Sequence, residues 1–263
     1  GYPSYSMGAR LAGGETHWVP MREENGFLPD LSDIPASVLK SSRLLWVNYP
    51  NNPTGVVVDQ AFYERTAAFC VEHDILLISD NAYIDVTYDG NQAPSALQTS
   101  AGRSHTIELF SFSKSYNMAG WRLGAAVGSE EAISDLLRVK SNIDSGHFKA
   151  VYDAGTKALS VPTAWIRERN TIYQQRRDRI MATLPDIGLS ASVPGGAMYV
   201  WGKVEDGDVA EYVEDALTQA HVSIAPGLAY GPGGQQHVRI SLGVPDDQLD
   251  AALERLRSWY ANR

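Results

Sequence analysis

Ser111-Phe112-Ser113-Lys114, followed eight residues later by Arg122, sets one amine beside two hydroxyls and a guanidinium. An amine so placed can condense reversibly with an aldehyde, while the guanidinium and hydroxyls can neutralise a phosphate on the same molecule. A lone lysine is ordinarily a solvated surface charge. Here the segment TIELFSFSK alternates and then runs apolar, which predicts a strand end with Lys114 at the edge of a cleft rather than on a helix face. Asp80 closes a second apolar run, ILLISD, and Asn52 follows a third, LLWVNYP. A carboxylate at that place either serves chemistry or caps the next turn. NNPTG is likewise either a site loop or an ordinary β-turn.

These side chains need a frame to hold them. LLWVNYP, ILLISD, TIELFSFSK and RLGAAVG read as strands, DQAFYERTAAFCVEHD as a helix, and SEEAISDLLRVKS as a helix with a serine cap and an acidic first turn. That rhythm predicts an α/β layer with a mainly parallel sheet between helices. In such sheets ligands gather at the carboxyl ends of the strands, where Asn52, Asp80 and Lys114 all fall. From 149 to 184 a long helical stretch, broken near Pro162 and closed by Pro185, is expected to join two domains. The remainder, with strands in GLSASV, AMYVWGKV and HVRISLG and two helices between and after them, reads as α+β. The expected division is a large domain over 1–160 and a smaller C-terminal domain over 161–263. The chain opens on GYPSY, whose glycine and proline predict a loop between two elements, so the large domain is expected to lack its N-terminal part.

Composition narrows the partners. With 263 residues, 44% of them hydrophobic, the chain can bury a core. A formal charge of −9 argues against a general nucleic-acid or membrane-surface binder. The densest basic patch, Arg167 to Arg179, is broken by Glu168 and Asp178 and is expected to be a solvated helix face. The single Cys70 excludes an internal disulfide and fits packing on a helix in a reducing compartment. No apolar run is long enough to span a bilayer, and a cytoplasmic location is expected. No metal is expected.

Taken together, SFSK with its downstream arginine, NYPNNPTG and SDNAYIDVTYDG resemble the motifs of fold-type I pyridoxal 5'-phosphate (PLP) enzymes, specifically the class I and II aminotransferases. The resemblance covers nearly the whole chain and keeps the family's order. It implies an aspartate-aminotransferase-like fold in which Lys114 binds the cofactor and moves protons. Asp80 would hold the pyridine nitrogen protonated, and Asn52 and Tyr83 would donate to the ring phenolate. Ser111 and Arg122, at the family's spacings from the lysine, would take the phosphate, with Ser113 as a further donor or turned to the other side of its strand. Tyr2 would stack on the ring, although Tyr5 is near enough in sequence to compete.

Arg239, in HVRISLG, matches the arginine that forks a substrate α-carboxylate. The alternative is a structural salt bridge with an internal acid. The loops around Pro194–Tyr199 and Ala225–Gly227 are expected to shape the substrate border through their glycines. Within the family, KSNIDSGHFKAVYDAG looks most like LL-diaminopimelate aminotransferases and their relatives. Asn142 there either reaches a neighbouring subunit's site or sits in a helix-breaking turn. The resemblance implies a homodimer with shared active sites that passes an amino group from an L-amino acid to a 2-oxo acid by a ping-pong mechanism. A PLP-dependent C–S β-lyase, or a PLP-binding polypeptide without turnover, are the other readings of the same motifs.

Overall fold

The computed structural model describes residues 2–100 and 102–263. In chain order its helices are α1 (Pro3–Leu11), α2 (Ala36–Ser41), α3 (Gln60–Glu72), α4 (Gly102–His105), α5 (Phe112–Ser115), α6 (Glu130–Ile143), α7 (Lys149–Ala158), α8 (Thr163–Thr183), α9 (Val209–Thr218) and α10 (Asp246–Tyr260). The strands are β1 (Leu44–Asn48), β2 (Leu76–Asp80), β3 (Thr106–Ser111), β4 (Gly124–Gly128), β5 (Leu189–Ser190), β6 (Tyr199–Val204), β7 (Ala225–Pro226) and β8 (His237–Ser241).

Two compact units emerge. The central unit comprises Leu31–Pro50 and Val57–Arg169; the flanking unit comprises Gly1–Asp30, Asn51–Val56 and Asn170–Arg263. They are not the two continuous halves that the sequence suggests. The boundary falls inside α8 rather than at 160, and two early segments belong with the C-terminal part.

In the central unit β1, β2 and β3 pair parallel in that order, and β4 closes the sheet antiparallel to β3. Asp59 caps α3 by accepting from Phe62 N at 2.8 Å, and the helix buries Phe62, Tyr63, Thr66, Ala67 and Cys70, one stripe at helical spacing. Burial pushes the Cys70 thiol up to about 12, so it packs as a small apolar group. Ser129 caps α6 in the same manner. Among the described residues, no helix is long and apolar enough to cross a membrane.

The flanking unit carries the second sheet, in the order β5-β6-β8-β7 with every pairing antiparallel. Within GYPSY, Gly1 lies outside the described residues, and from Tyr2 onward the segment starts a helix rather than a loop. Tyr2 is the N-cap and Pro3 opens α1, because proline's fixed φ and missing N–H suit a first turn.

The basic patch in α8 also departs from expectation. Arg169 and Arg177 are only 6% and 3% exposed. Arg169 donates to backbone carbonyls, while Arg177 donates through Nη1 to Pro194 O at 3.0 Å and through Nε to the Asp178 carboxylate at 2.8 Å. Only part of the patch meets the surface.

Arg176 and Arg179 instead clamp α10 within the flanking unit. Arg176 donates to both oxygens of Asp246 at 3.1 and 3.2 Å, and Arg179 reaches Asp246 and Asp250. Hydrogen bonds from Arg176, and then from Arg179, hold the Asp246 carboxyl at about 2, below its ordinary 3.8. A depressed acid contributes stability above its unfolded pKa and loses it as the pH falls through the folded value. Acid unfolding should therefore steepen between about pH 4 and pH 2. Asp246→Asn should flatten that limb in a pH series of thermal melts; an unaltered limb would show that the clamp contributes nothing.

Candidate functional site

Parallel pairing brings the carboxyl ends of β1 and β2 level in the central unit, with β3 running two residues further. Asn48, the last residue of β1, pairs with Asp80, the last of β2, and Asp80 pairs with Leu109 on β3. Asn48 Nδ2 donates to Asp80 O at 2.8 Å and locks that edge. One carboxylate oxygen of Asp80 accepts from Ala82 N at 3.1 Å. Asp80 therefore does cap the next turn, and the cap fixes the orientation of its carboxylate. Tyr83 lies in that turn and is buried at 5% exposure.

β3 ends at Ser111 and passes directly into α5, a single helical turn of four residues. Lys114 therefore sits on a helical turn rather than emerging from the strand. Its Nζ stands 5.8 Å from the centroid of the Tyr83 ring. Ser111, Ser113 and Lys114 are all half-buried. Behind them Phe112 packs with Leu123 and Ala158, which anchors the turn from its apolar side.

Arg122 follows at the surface in the left-handed region, φ 54°. A non-glycine residue adopts that conformation at a cost of about 1–2 kcal/mol. Its Nη1 donates to Ala119 O at 2.9 Å, and its carbonyl lies 2.7 Å from His147 Nε2. Asp80, Tyr83, Ser111, Ser113, Lys114 and Arg122 thus all belong to the central unit, on or just beyond the ends of β2 and β3. Asn142, in the last turn of α6, is exposed and donates to Arg138 O at 2.7 Å. The helix does end just after it, at Ile143.

The flanking unit holds the remaining candidates. In NNPTG the turn is made by Asn51, whose Oδ1 accepts from Thr54 N at 3.0 Å and Thr54 Oγ1 at 2.8 Å. Asn52 keeps its own side chain for another contact: Arg239 Nη1 donates to Asn52 Oδ1 at 3.0 Å. The Arg239 guanidinium lies between two rings, 3.9 Å from the Tyr199 centroid and 4.6 Å from that of Tyr230. Burial pushes the Tyr230 phenol up, against the pull of Arg239, and keeps it neutral. Among the described residues no acid forms an ion pair with Arg239, and its Nε is buried without an acceptor. The structural salt bridge is not what holds it. Tyr2, half exposed at the start of α1, has its ring 6.1 Å from that of Tyr5.

Gly55 fixes the Asn52 loop. Its φ is +72°, and a Cβ there would come within 2.4 Å of Pro194 Cβ and 3.0 Å of Gly196 O. Gly196 N also donates to Gly55 O at 2.9 Å, which ties the loop to the segment before β6. Gly55→Ala should cost about 1–3 kcal/mol from strain at positive φ alone. The cost would appear as a lowered melting temperature; an unchanged one would mean that the loop relaxes freely.

Arg169, Tyr199 and Tyr230 were not singled out by sequence. For Arg169 a signal existed: at helical spacing it shares a face with Tyr173 and Ile180, a face that the structure buries at 169, 173, 177 and 180. Such a stripe marks Arg169 and Arg177 as inward despite their charge. Nothing in the sequence pairs Tyr230 with Arg239.

Amine, carboxylate and hydroxyls on or just beyond the ends of paired parallel strands stand where α/β folds place their ligands. The whole chain can then be set beside known proteins. It matches the family described as Aminotransferase class I and II over residues 1–256. It is 44% identical over 258 residues to the LL-diaminopimelate aminotransferase of Moorella thermoacetica, covering 98% of this chain and 66% of that protein. The enzyme of the same name from Desulforudis audaxviator is 43% identical over the same coverage. Among solved structures, apo-BacF from Bacillus subtilis superposes with a TM-score of 0.94 at 36% identity, over 99% of this chain and 67% of that one. A probable N-succinyldiaminopimelate aminotransferase from Thermus thermophilus gives 0.91 at 40% identity, over 98% and 69%. The chain belongs to the class I and II aminotransferase family, with its aspartate-aminotransferase-like fold-type I architecture. It spans 66% of the length of the first of these relatives.

The family's cofactor is PLP, and the donor set of the central unit fits it. An amine suits the aldehyde, a capped carboxylate suits a pyridinium, and hydroxyls with a guanidinium suit a phosphate.

Proposed function

We propose that the protein is a PLP-dependent aminotransferase that moves an amino group from a diaminopimelate-like dicarboxylic L-amino acid to a 2-oxo acid. The observation that carries this reading is the Lys114 turn at the end of β3, with Nζ over Tyr83 and Asp80 at the neighbouring strand end. Family membership and the names of the similar enzymes support it.

The residues divide the work. Lys114 would hold the cofactor at its aldehyde carbon through Nζ, and the same amine would carry a proton away from the substrate Cα. Bound PLP supplies a conjugated electron sink next to that carbon. Asp80 holds a proton on the pyridine nitrogen by opposite charge. Tyr83 and Asn52 would donate to the cofactor's ring oxygen, Tyr2 would stack on its ring, and Ser111, Ser113 and Arg122 would take its phosphate, the roles that the family resemblance implies for them. Arg239 takes the substrate α-carboxylate, a role that its lack of an ion-paired acid supports.

The working form is a cytoplasmic homodimer with shared sites, and Asn142 serves the neighbouring copy. Exposed apolar side chains on and between α6 and α7, Leu137, Ile143 and Phe148 at 61%, 77% and 80%, support such an interface. The enzymatic test is steady-state turnover with LL-diaminopimelate and a 2-oxo acid. Parallel double-reciprocal lines with strict dependence on the oxo acid are expected. Acceptor-independent cleavage of a thioether amino acid offered in place of diaminopimelate, with release of a thiol and ammonia, would favour the C–S β-lyase; a bound cofactor with no turnover of either substrate would favour a binding polypeptide.

A further inference from the structure

We propose that Arg169 is the positioning residue of the lysine turn, an inference that rests on the role given above to Lys114. Its guanidinium reaches two separate stretches of backbone. Nη1 donates to Lys114 O at 3.0 Å and also to Ser115 O, while Nη2 donates to Asp85 O at 2.5 Å. The side chain is buried, and its guanidinium lies 5.6 Å from the Trp165 ring centroid.

The two stretches are the ones that carry the reacting pair. Lys114 and Ser115 close α5. Asp85 sits in the turn of Tyr83, where Ile84 N bonds to Asn81 O and Val86 N to Tyr83 O. One planar cation therefore sets the distance between the amine and the ring beneath it.

Elementary physics says why the turn needs it. A helix of four residues makes too few internal hydrogen bonds to repay its nucleation, and its last carbonyls have no partners within the helix. A cation at its C-terminal end satisfies those carbonyls and complements the local dipole. Phe112 fixes the apolar side of the turn, but a hydrophobic contact sets no angle for Lys114. Arginine suits the task better than lysine because its fork presents donors in fixed and divergent directions.

The test uses the full chain and separates capture from binding. PLP is added, borohydride is supplied to reduce the product of amine and aldehyde, and labelling of Lys114 is timed by peptide mass. Chemically, water is lost on condensation, hydride adds to the carbon, and a stable secondary amine remains. In parallel, the dissociation constant of pyridoxamine phosphate is measured, since this compound carries the phosphate and ring but no aldehyde. Arg169→Met should slow labelling roughly 10- to 100-fold, as misplacement of a reacting group does, and leave pyridoxamine phosphate affinity unchanged. Arg169→Lys, which keeps the buried charge, should recover part of the rate. If Arg169→Met does not fold, the lysine variant carries the same comparison. Labelling at the wild-type rate, or equal losses of labelling and affinity, would overturn the proposal. A wild-type protein that is never labelled at Lys114 would instead sink the assignment of the lysine, and this inference with it.

Discussion

Replacement of Lys114 by alanine is expected to lower turnover by about 10⁴-fold or more, with the protein still folded. General acid–base catalysis by one positioned group is worth roughly 10²- to 10⁴-fold, and this amine is asked to anchor the cofactor as well. The fold should survive because Lys114 is half-buried and the packing of α5 rests on Phe112 against Leu123 and Ala158. The melting temperature should therefore stay close to that of the wild type. Added small amines should restore part of the proton transfer, whereas labelling by borohydride at this position cannot return. A Lys114→Ala protein that transaminates at the wild-type rate would remove the amine from the mechanism altogether.

The second large effect is expected at Arg239. Truncating one partner of a partly buried, hydrogen-bonded charge pair costs about 2–5 kcal/mol, which corresponds to roughly 30- to 5,000-fold in kcat/KM. Arg239→Ala should show that loss for amino-acid substrates. Arg239→Lys should recover little, because the rings of Tyr199 and Tyr230 grip a planar group and a compact ammonium makes no bidentate contact. The loss should fall on KM more than on kcat if the carboxylate is held equally before and during reaction. An amine lacking the α-carboxylate should react at the same low rate with wild type and variant. If Arg239→Ala changed that amine and the amino acids alike, the arginine would be structural.

Much of this was legible from the order of residues. Apolar runs ending in Asn, Asp and Ser marked β1, β2 and β3, most clearly β2, which is buried through its middle and so has little freedom of composition. Ser129 announced its helix because an N-cap needs a short acceptor at that point. The candidate residues could be picked out because the proposed chemistry restricts residue type at strand ends.

The departures arose where tertiary context decides. Pro3 could end a loop or open a helix, and the local sequence does not choose between them. TIELFSFSK continues its strand pattern past Ser111, yet the carbonyl bonds from Arg169, distant in sequence, support a helical turn at Lys114. Arg169 looked like surface charge because its hydrogen-bond acceptors include backbone carbonyls distant in sequence, which leave no mark in composition. The grouping of Asn51–Val56 with the C-terminal segment follows from a glycine contact with Pro194 and from the bond between Asn52 and Arg239. Both join residues far apart in the chain.

The central claim is an amino-group transfer that begins at Lys114, and a single half-reaction tests it most directly. The protein is loaded with PLP, freed of excess, and mixed with LL-diaminopimelate in the absence of any 2-oxo acid while its visible absorption is followed. The expected result is a stoichiometric bleaching, one oxo product per site, reversed on adding a 2-oxo acid and absent in Lys114→Ala. Continuous release of ammonia without an acceptor, or an absorption that no amino acid alters, would contradict it.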